Sequence, residues 1–152
     1  LWRHLGIERP GGWWESIEYG LDDLYPDAIA CLEELKSTGL RVGIVGNQSV
    51  TLERWARSSE LPADVISSSA SLGVRKPDPR FFAAIVELAQ CAPGEVAYVG
   101  DRVDNDVLPA CAAGLHAIHI RRGPWGRLQR TPSGIPSIDS LADLSATLAS
   151  LP

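Results

Sequence analysis

Apolar residues along the chain follow two spacings in alternation, one typical of helices and the other of buried strands. Over residues 25–39, Ala28, Ile29, Leu32 and Leu35 recur at helical spacing, which predicts a helix with one buried face. Short runs in which nearly every residue is apolar lie between such segments and predict strands that are covered on both faces. The alternation therefore predicts an α/β protein, with a parallel sheet between two layers of helices.

The predicted elements continue in this order to the end of the chain. Strands are expected over residues 41–46, 63–69, 95–100 and 115–120, and helices over 25–39, 51–60, 78–91, 105–114 and 137–151. Ser137 or Asp139 is expected near the cap of the last helix, and the segment 121–130, rich in Arg, Gly and Pro, is expected to be a loop. Residues 1–24 have a different pattern, with three tryptophans around the sequence RPGG, and are expected to form a small appendage to a core of residues 25–152.

Length and composition narrow the class of protein. With 152 residues, the chain holds enough material for one domain. Its net charge of −5 argues against a general nucleic-acid binder, and no apolar run approaches the roughly 20 residues that a membrane span requires. The three cysteines have no paired spacing, which is typical of proteins from a reducing compartment, so a cytoplasmic location is predicted.

Charged residues gather near the end of one predicted strand, where a parallel sheet binds its ligands. The sequence VGDRVDND sets Asp101, Asp104 and Asp106 within six positions. Because carboxylates this close repel one another, a positive group is expected beside them. The chain has only two lysines, and one of them, Lys76, lies in the segment GVRKPDPRFF, where the proline that follows restricts its backbone to extended geometry.

Three segments together resemble the haloacid dehalogenase superfamily, whose members are mostly phosphohydrolases on a Rossmann-like core. GDRVDND is similar to the family's last motif, in which Gly-Asp is followed four or five residues later by a second Asp, and GVRKPDPRFF is similar to its lysine motif. GIVGNQ stands where the family has a strand that ends in Ser or Thr. Order and spacing agree over residues 25–120, and the resemblance implies a three-layer HAD-like fold in which residues 1–24 are the remnant of a small helical cap.

The resemblance implies a role for each residue of these motifs. Asp101 would hold Mg²⁺, a hard cation that takes oxygen ligands, and Lys76 would neutralise the phosphoryl group of a small phosphorylated substrate together with the carboxylate that attacks it. Asn105 and Asp106 open the next helix, so Asp106 either supports the metal and the lysine from outside or merely begins that helix. Asp104 is expected to be solvated.

Gly46 departs from the family pattern, because the hydroxyl that usually binds the phosphate is absent. The backbone N–H groups of Gly46 and Asn47, or the side chain of Asn47, would form an anion cradle instead. The alternative is a strand-to-loop turn that merely needs glycine. The four arginines of RRGPWGRLQR would either meet an anionic substrate or form a solvated basic loop, and the histidines, His119 among them, are expected to be structural.

The family's nucleophile, an aspartate on the first and central strand, has no counterpart in this sequence. Since the chain starts at Leu1 and contains no methionine, an upstream segment is expected, which was lost by proteolysis, left out of this sequence, or supplied by another chain as in a homo-oligomer. Without that strand, the strands over 41–46 and 96–100 would lie about 10 Å apart, twice the usual spacing of about 4.8 Å, and could not bond to each other. A monomer without it should be barely stable.

Three functions are open on the sequence alone. The leading hypothesis is a Mg²⁺-dependent phosphomonoester hydrolase that works through an aspartyl-phosphate on the upstream aspartate, so the chain by itself would be inactive. A catalytically inactive binding or scaffold protein with the same fold is the first alternative, and Gly46 together with the missing nucleophile favours it. A haloacid dehalogenase is the second, although such enzymes need no metal and the GDRVDND cluster would then be unexplained.

Overall fold

The computed structural model describes residues 18–152, so most of the segment 1–24, predicted to be a cap, lies outside the described residues. The strands are β1 (Gly43–Gly46), β2 (Val65–Ser68), β3 (Ala97–Gly100), β4 (His116–Ile120) and β5 (Ser137–Ile138). The helices are α1 (Ala28–Ser37), α2 (Val50–Ser58), α3 (Ser69–Leu72), α4 (Pro79–Ala89), α5 (Leu108–Ala112), α6 (Gly123–Leu128) and α7 (Leu144–Ala149). This is the predicted α/β architecture, with parallel strands and helices on both sides.

The strands form two parallel sheets rather than one. β1 pairs with β2, with Gly43 opposite Val65, and β4 pairs with both β3 and β5. Within the described residues, β1 and β3 are not hydrogen-bonded to each other. The expectation that these two strands would not pair is confirmed.

Helices cover both faces of the larger sheet, because side chains alternate across each strand. In β4, Ala117 belongs to a core cluster with the side chains of α4 and α5, whereas the next residue, Ile118, belongs to a second cluster with those of α1 and α7. Phe81 and Phe82, both fully buried, fill the first cluster. Val45 of β1 also packs against this first cluster, so apolar contacts join the two sheets although strand pairing does not.

Local signals in the sequence account for several element boundaries. The hydroxyl of Ser49 accepts a hydrogen bond from the N–H of Leu52 at the start of α2, and Asp78 caps α4 by accepting from the N–H of Arg80. Gly39, just after α1, has a φ of +83°, a conformation that favours glycine. Side-chain caps thus mark the starts of α2 and α4, and a glycine marks the end of α1.

Two predictions near the C-terminus were wrong. Segment 121–130 is not a plain loop, because it contains α6. The last helix, expected over 137–151 with Ser137 or Asp139 near its cap, covers only Leu144–Ala149. Ser137 belongs to β5, Asp139 pairs with Arg121, and Ser140 is the residue whose hydroxyl accepts a hydrogen bond, from the N–H of Ala142. A strand of two residues is too short to show any periodicity in sequence, so its pairing with β4 could be recognised only in three dimensions.

An ion pair joins the first helix to the far end of the chain. Asp27, just before α1, accepts hydrogen bonds from Arg122, from the Ser140 hydroxyl at 2.6 Å and from the N–H of Leu141 at 2.9 Å. The hydrogen bond from Arg122 is the main reason why the pKa of Asp27 lies well below its ordinary value. The folded state therefore prefers the ionised carboxylate, which stabilises it.

Asp27→Asn is expected to lower the free energy of unfolding at pH 7 by about 1.5–3 kcal/mol, because hydrogen bonds to a charged group are lost. Since the pKa of Asp27 is depressed in the folded state, this difference should be complete at pH values above the unfolded pKa of about 3.9 and shrink as the pH falls further. Urea unfolding of both proteins from pH 7 to pH 2.5 measures it. A difference that is the same at every pH would contradict this account of Asp27.

Among residues 18–152, none of the helices is both long enough and apolar enough to cross a lipid bilayer.

Candidate functional site

A cavity of about 420 Å³ opens beside the carboxyl ends of β1, β3 and β4. The cavity brings together Lys76 and two of the three aspartates of GDRVDND, Asp101 and Asp106. Its lining residues are Tyr25, Val45, Lys76, Tyr98, Val99, Gly100, Asp101, Asp106, Ile120, Arg122 and Leu141. Lys76 and Asp101, which are 25 positions apart in sequence, thus face one space.

Lys76 forms a buried ion pair with Asp106. Its Nζ lies 2.5 Å from Oδ1 of Asp106, and the two side chains are only 12% and 3% exposed. Apart from this ion pair, Oδ1 of Asp106 has no hydrogen-bonding partner in the described part of the chain. Moving the ammonium away would leave a buried negative charge without a partner, which is energetically costly. The ion pair therefore holds the ammonium in place.

Aromatic rings complete the surroundings of the Lys76 ammonium. Nζ lies 5.6 Å from the centre of the Tyr98 ring and 5.9 Å from that of Phe81, within the range of a cation–π interaction. Burial alone would lower the pKa of Lys76, but the charges and hydrogen bonds of Tyr98 and Asp106 outweigh it and raise the pKa. Lys76 is therefore a fixed positive charge on the wall of the cavity.

Glycine at position 100 allows Asp106 to approach this close to β3. A Cβ atom on Gly100 would lie 2.3 Å from Cβ and 2.6 Å from Cγ of Asp106. From this position Asp106 also accepts a hydrogen bond, through Oδ2, from the N–H of Arg102 at 3.0 Å. The Gly-Asp step and the later aspartate of GDRVDND thus form one packed unit, in which Asp106 lies within a single π-helical turn, Val103–Val107.

Gly100→Ala should displace Asp106 from Lys76 and lower the free energy of unfolding by about 1–3 kcal/mol, the usual cost of overpacking. Gly94→Ala is the matched control, since nothing lies within 4 Å of a Cβ at that position. Chemical denaturation of the two variants and the parent measures the effect. Equal stability of the two variants would mean that Asp106 does not need the space beside Gly100.

Asp101 is half-buried at the end of β3 and faces the cavity. Burial, followed by the neighbouring negative charge of Asp106, raises the pKa of its carboxyl group. Within residues 18–152, no basic side chain forms an ion pair with Asp101. The backbone carbonyl of Asp101 lies 3.3 Å from Nε2 of His119, which is fully buried. The other ring nitrogen of His119, Nδ1, lies 2.6 Å from the Thr131 hydroxyl.

The described residues offer a cation one available carboxylate ligand at this edge of the cavity, that of Asp101. Among residues 18–152, no group of three or more His, Cys, Asp or Glu side chains could by itself hold a metal ion. Asp101 nevertheless offers a carboxylate that a positive charge would stabilise, because its pKa is raised by burial and by Asp106. Mg²⁺ commonly binds through one or two carboxylates, with water and substrate phosphate as its other ligands.

Gly46 is the last residue of β1 and Asn47 follows it, and neither is among the residues that line the cavity. The Asn47 side chain binds the backbone of Lys76. Its Oδ1 accepts from the N–H of Lys76 at 2.8 Å, and its Nδ2 donates to the Lys76 carbonyl at 3.0 Å. One of the two expected anion cradles, the Asn47 side chain, is therefore committed elsewhere. The backbone N–H groups of Gly46 and Asn47 stay a prediction.

Four residues of the GDRVDND motif do not line the cavity, and Asp104 and Asn105 are the two among them that the sequence singled out. Asp104 is 54% exposed, as expected, but it pairs with Arg102 at 2.5 Å. Hydrogen bonds from Arg102 and Gln129 lower the pKa of Asp104 to about 2. Asn105 is half-buried in the same turn and does not line the cavity.

Sequence reasoning missed the aromatic wall of the cavity, because Tyr98 was assigned only to a strand and Tyr25 to no site. Arg122, which also lines the cavity, belongs to the segment RRGPWGRLQR, for which contact with an anionic substrate was one of two alternatives. The Arg122 guanidinium lies 4.3 Å from the centre of the Tyr25 ring and pairs with Asp27. The strand-end position of this segment, just after β4, is the signal by which the sequence singled it out.

Residues 14–114 match the family model described as haloacid dehalogenase-like hydrolase. Over 86% of its length, the chain is 29% identical to the glyceraldehyde 3-phosphate phosphatase of Methanocaldococcus jannaschii, of which it spans 59%. The chain thus covers less than two thirds of that relative.

Solved structures with related folds include both phosphatases and dehalogenases. The HAD phosphatase from Thermococcus onnurineus superposes with a TM-score of 0.70 at 29% identity, covering 82% of this chain and 58% of that one. The 2-haloacid dehalogenase from Pseudomonas syringae superposes with a TM-score of 0.66 at 26% identity, covering 84% of this chain and 54% of that one. The fold alone therefore does not separate these two chemistries.

Proposed function

The chain belongs to the haloacid dehalogenase-like hydrolase family, and we propose that it forms the part of a Mg²⁺-dependent phosphomonoester hydrolase that neutralises the phosphate and holds the metal. The observation that carries this proposal is the convergence of Lys76 and Asp101 on one cavity. Catalysis of phosphoryl transfer rests mainly on positioning and electrostatic stabilisation, which a fixed ammonium beside a cation-binding carboxylate provides. The name of the archaeal relative supports a small phosphomonoester as the class of substrate.

Lys76 would bind the anionic oxygens of the phosphoryl group. Its ammonium is held by Asp106 and faces the cavity, so it need not reorganise when substrate arrives. Asp106 uses one oxygen for Lys76 and the other for the N–H of Arg102, and we therefore assign it to holding Lys76 rather than the metal. The backbone N–H groups of Gly46 and Asn47 would take the remaining phosphate oxygens.

Asp101 would be the carboxylate ligand that this chain contributes to Mg²⁺. When bound, the cation would add positive charge next to the phosphate oxygens, beyond what one ammonium supplies. His119 fixes the backbone of Asp101, and α6 begins beside it: a Cβ on Gly123 would lie 3.9 Å from Oδ2 of Asp101. The backbone of Asp101 is thus held in place beside the cavity, and its carboxylate would be available to a ligand.

The attacking carboxylate would come from outside this sequence. Among residues 18–152, the carboxylates that line the cavity are those of Asp101 and Asp106, to which other roles are assigned, and residues 1–17 contain no aspartate. We infer that an aspartate would be presented between β1 and β3, whose facing edges are not bonded to each other in the described residues. Attack of its carboxylate on phosphorus would break the bond to the ester oxygen, so that the alcohol leaves with a proton from water and an aspartyl-phosphate forms. Water would then hydrolyse the aspartyl-phosphate to inorganic phosphate and the free carboxylate.

Hydrolysis of p-nitrophenyl phosphate by the complete protein tests the proposal. We expect turnover that is lost on chelation with EDTA and restored by Mg²⁺. Turnover that chelation leaves unchanged would exclude the metal-dependent mechanism.

The same assay separates the alternatives. Chloride release from 2-chloropropionate without phosphate hydrolysis would identify a dehalogenase instead. Absence of both reactions in the complete protein would identify a binding protein with this fold, the outcome that the missing hydroxyl at Gly46 favours.

A further inference from the structure

We propose that Asn47 is a positioning residue that holds Lys76 in the cavity through its side-chain amide. The geometry of the two residues stands by itself, and only the consequence for catalysis rests on the proposed function. Both hydrogen bonds of Asn47 go to the peptide groups of Lys76, from which the side chain projects.

The amide of Asn47 matches the backbone of Lys76 on both sides. Oδ1 accepts from the Lys76 N–H at 2.8 Å, and Nδ2 donates to the Lys76 carbonyl at 3.0 Å. Two bonds from one planar group fix both the distance and the orientation of the partner, whereas one bond would leave it free to turn. Only one orientation of the amide pairs a donor with an acceptor at both ends.

No other backbone group takes over this task. Within residues 18–152, the N–H and the carbonyl of Lys76 form no hydrogen bond with another backbone group. Polar backbone groups that are removed from water need partners, and here one side chain supplies both. The segment between α3 and α4 therefore depends on Asn47 at the residue that carries the ammonium.

The bonds also connect the two halves of the site. Asn47 directly follows β1, whereas Lys76 reaches from its own loop to Asp106, which packs against β3 through Gly100. Because β1 and β3 are not bonded to each other within the described residues, this path through Asn47 and Lys76 is a polar connection between their carboxyl ends. Asn47 thereby sets where the ammonium lies relative to the backbone N–H groups at the end of β1.

The chain offers an internal control, since Lys36 is the only other lysine. Lys36 pairs with Asp64, which binds Val42 before the start of β1, whereas Asn47 follows the other end of that strand. The Lys36 side chain is 40% exposed against 12% for Lys76. Brief treatment with an acetylating N-hydroxysuccinimide ester, followed by peptide mass spectrometry, gives a separate acylation rate for each lysine. In the parent protein we expect Lys76 to react more slowly than Lys36.

Asn47→Ala should raise the acylation rate of Lys76 by about tenfold relative to that of Lys36, the fold-change expected when two ordinary hydrogen bonds that keep a group buried are lost. Asn47→Asp keeps the acceptor for the Lys76 N–H but loses the donor, so its effect should be intermediate. Gln48→Ala is the matched control, because Gln48 is the exposed neighbouring amide and should leave the ratio unchanged.

An unchanged ratio in both Asn47 variants would overturn the proposal. A parallel rise at both lysines, together with a lower melting temperature, would also overturn it, since that is the signature of general unfolding. If Asn47→Ala does not fold, the milder Asn47→Asp decides by the same ratio. The readout needs no turnover, so failure of the phosphatase proposal and failure of this one remain distinguishable.

Discussion

Replacing Lys76 by methionine is expected to lower the free energy of unfolding by about 3–5 kcal/mol, because it leaves a buried carboxylate without its partner. Asp106 is 2% exposed, and within the described residues the ammonium that lies 2.5 Å from its Oδ1 is the partner of that oxygen. The same change should reduce phosphate hydrolysis by the complete protein by about 10²–10³-fold, the usual effect of removing one group that stabilises developing charge. Chemical denaturation and steady-state kinetics measure the two effects.

Lys36→Met provides the control for this prediction. Lys36 also pairs with an aspartate, Asp64, but both side chains are substantially exposed, and such pairs contribute only about 0–1 kcal/mol. In a double variant, Asp106→Asn should recover part of the stability that Lys76→Met loses, because no buried charge remains. If Lys76→Met and Lys36→Met were equally stable, the buried ion pair would not hold the site together as described.

Asp101→Asn is expected to separate function from stability. In the complete protein, hydrolysis and its dependence on Mg²⁺ should fall by about 10²-fold or more, because the carboxylate ligand of the cation is lost. Without Mg²⁺ the free energy of unfolding should stay the same or rise. Burial and the charge of Asp106 raise the pKa of Asp101, which means that the folded state disfavours its ionised form, and asparagine carries no such charge.

Asp104→Asn is the control for position and charge. Asp104 belongs to the same motif but is 54% exposed and lies outside the cavity, so its removal should leave Mg²⁺-dependent hydrolysis nearly unchanged. Equal losses in Asp101→Asn and Asp104→Asn would show that the general negative charge of the motif matters, and not the carboxylate that faces the cavity.

The order of the elements and the edge of the sheet that carries the site could be predicted from sequence. Alternating helical and strand patterns predicted the layers, and the rule that ligands bind at the carboxyl ends of parallel strands singled out Asp101. The resemblance of the lysine motif to the family's implied that Lys76 would lie beside it. The break between β1 and β3 was also expected, since the family's pattern requires a strand there that this sequence does not contain.

The remaining features depend on contacts that leave no local trace in sequence. The pairing of Ser137 and Ile138 with β4 involves too few residues for a period to appear. Asn47 meets Lys76 across 29 positions, and Arg122 meets Asp27 across 95, through side chains whose types are common in loops. Such partners are found only once the chain is folded, because nothing in the neighbouring residues demands them.

Titration of inorganic phosphate into the complete protein, with and without Mg²⁺, tests most directly whether Lys76 and Asp101 act on one bound anion. Isothermal titration calorimetry should show phosphate binding that Mg²⁺ strengthens by about tenfold, a typical coupling between neighbouring sites. Lys76→Met and Asp101→Asn should each remove this coupling, whereas Lys36→Met and Asp104→Asn should retain it. Phosphate binding that is indifferent to Mg²⁺, or that survives both Lys76→Met and Asp101→Asn unchanged, would contradict the account.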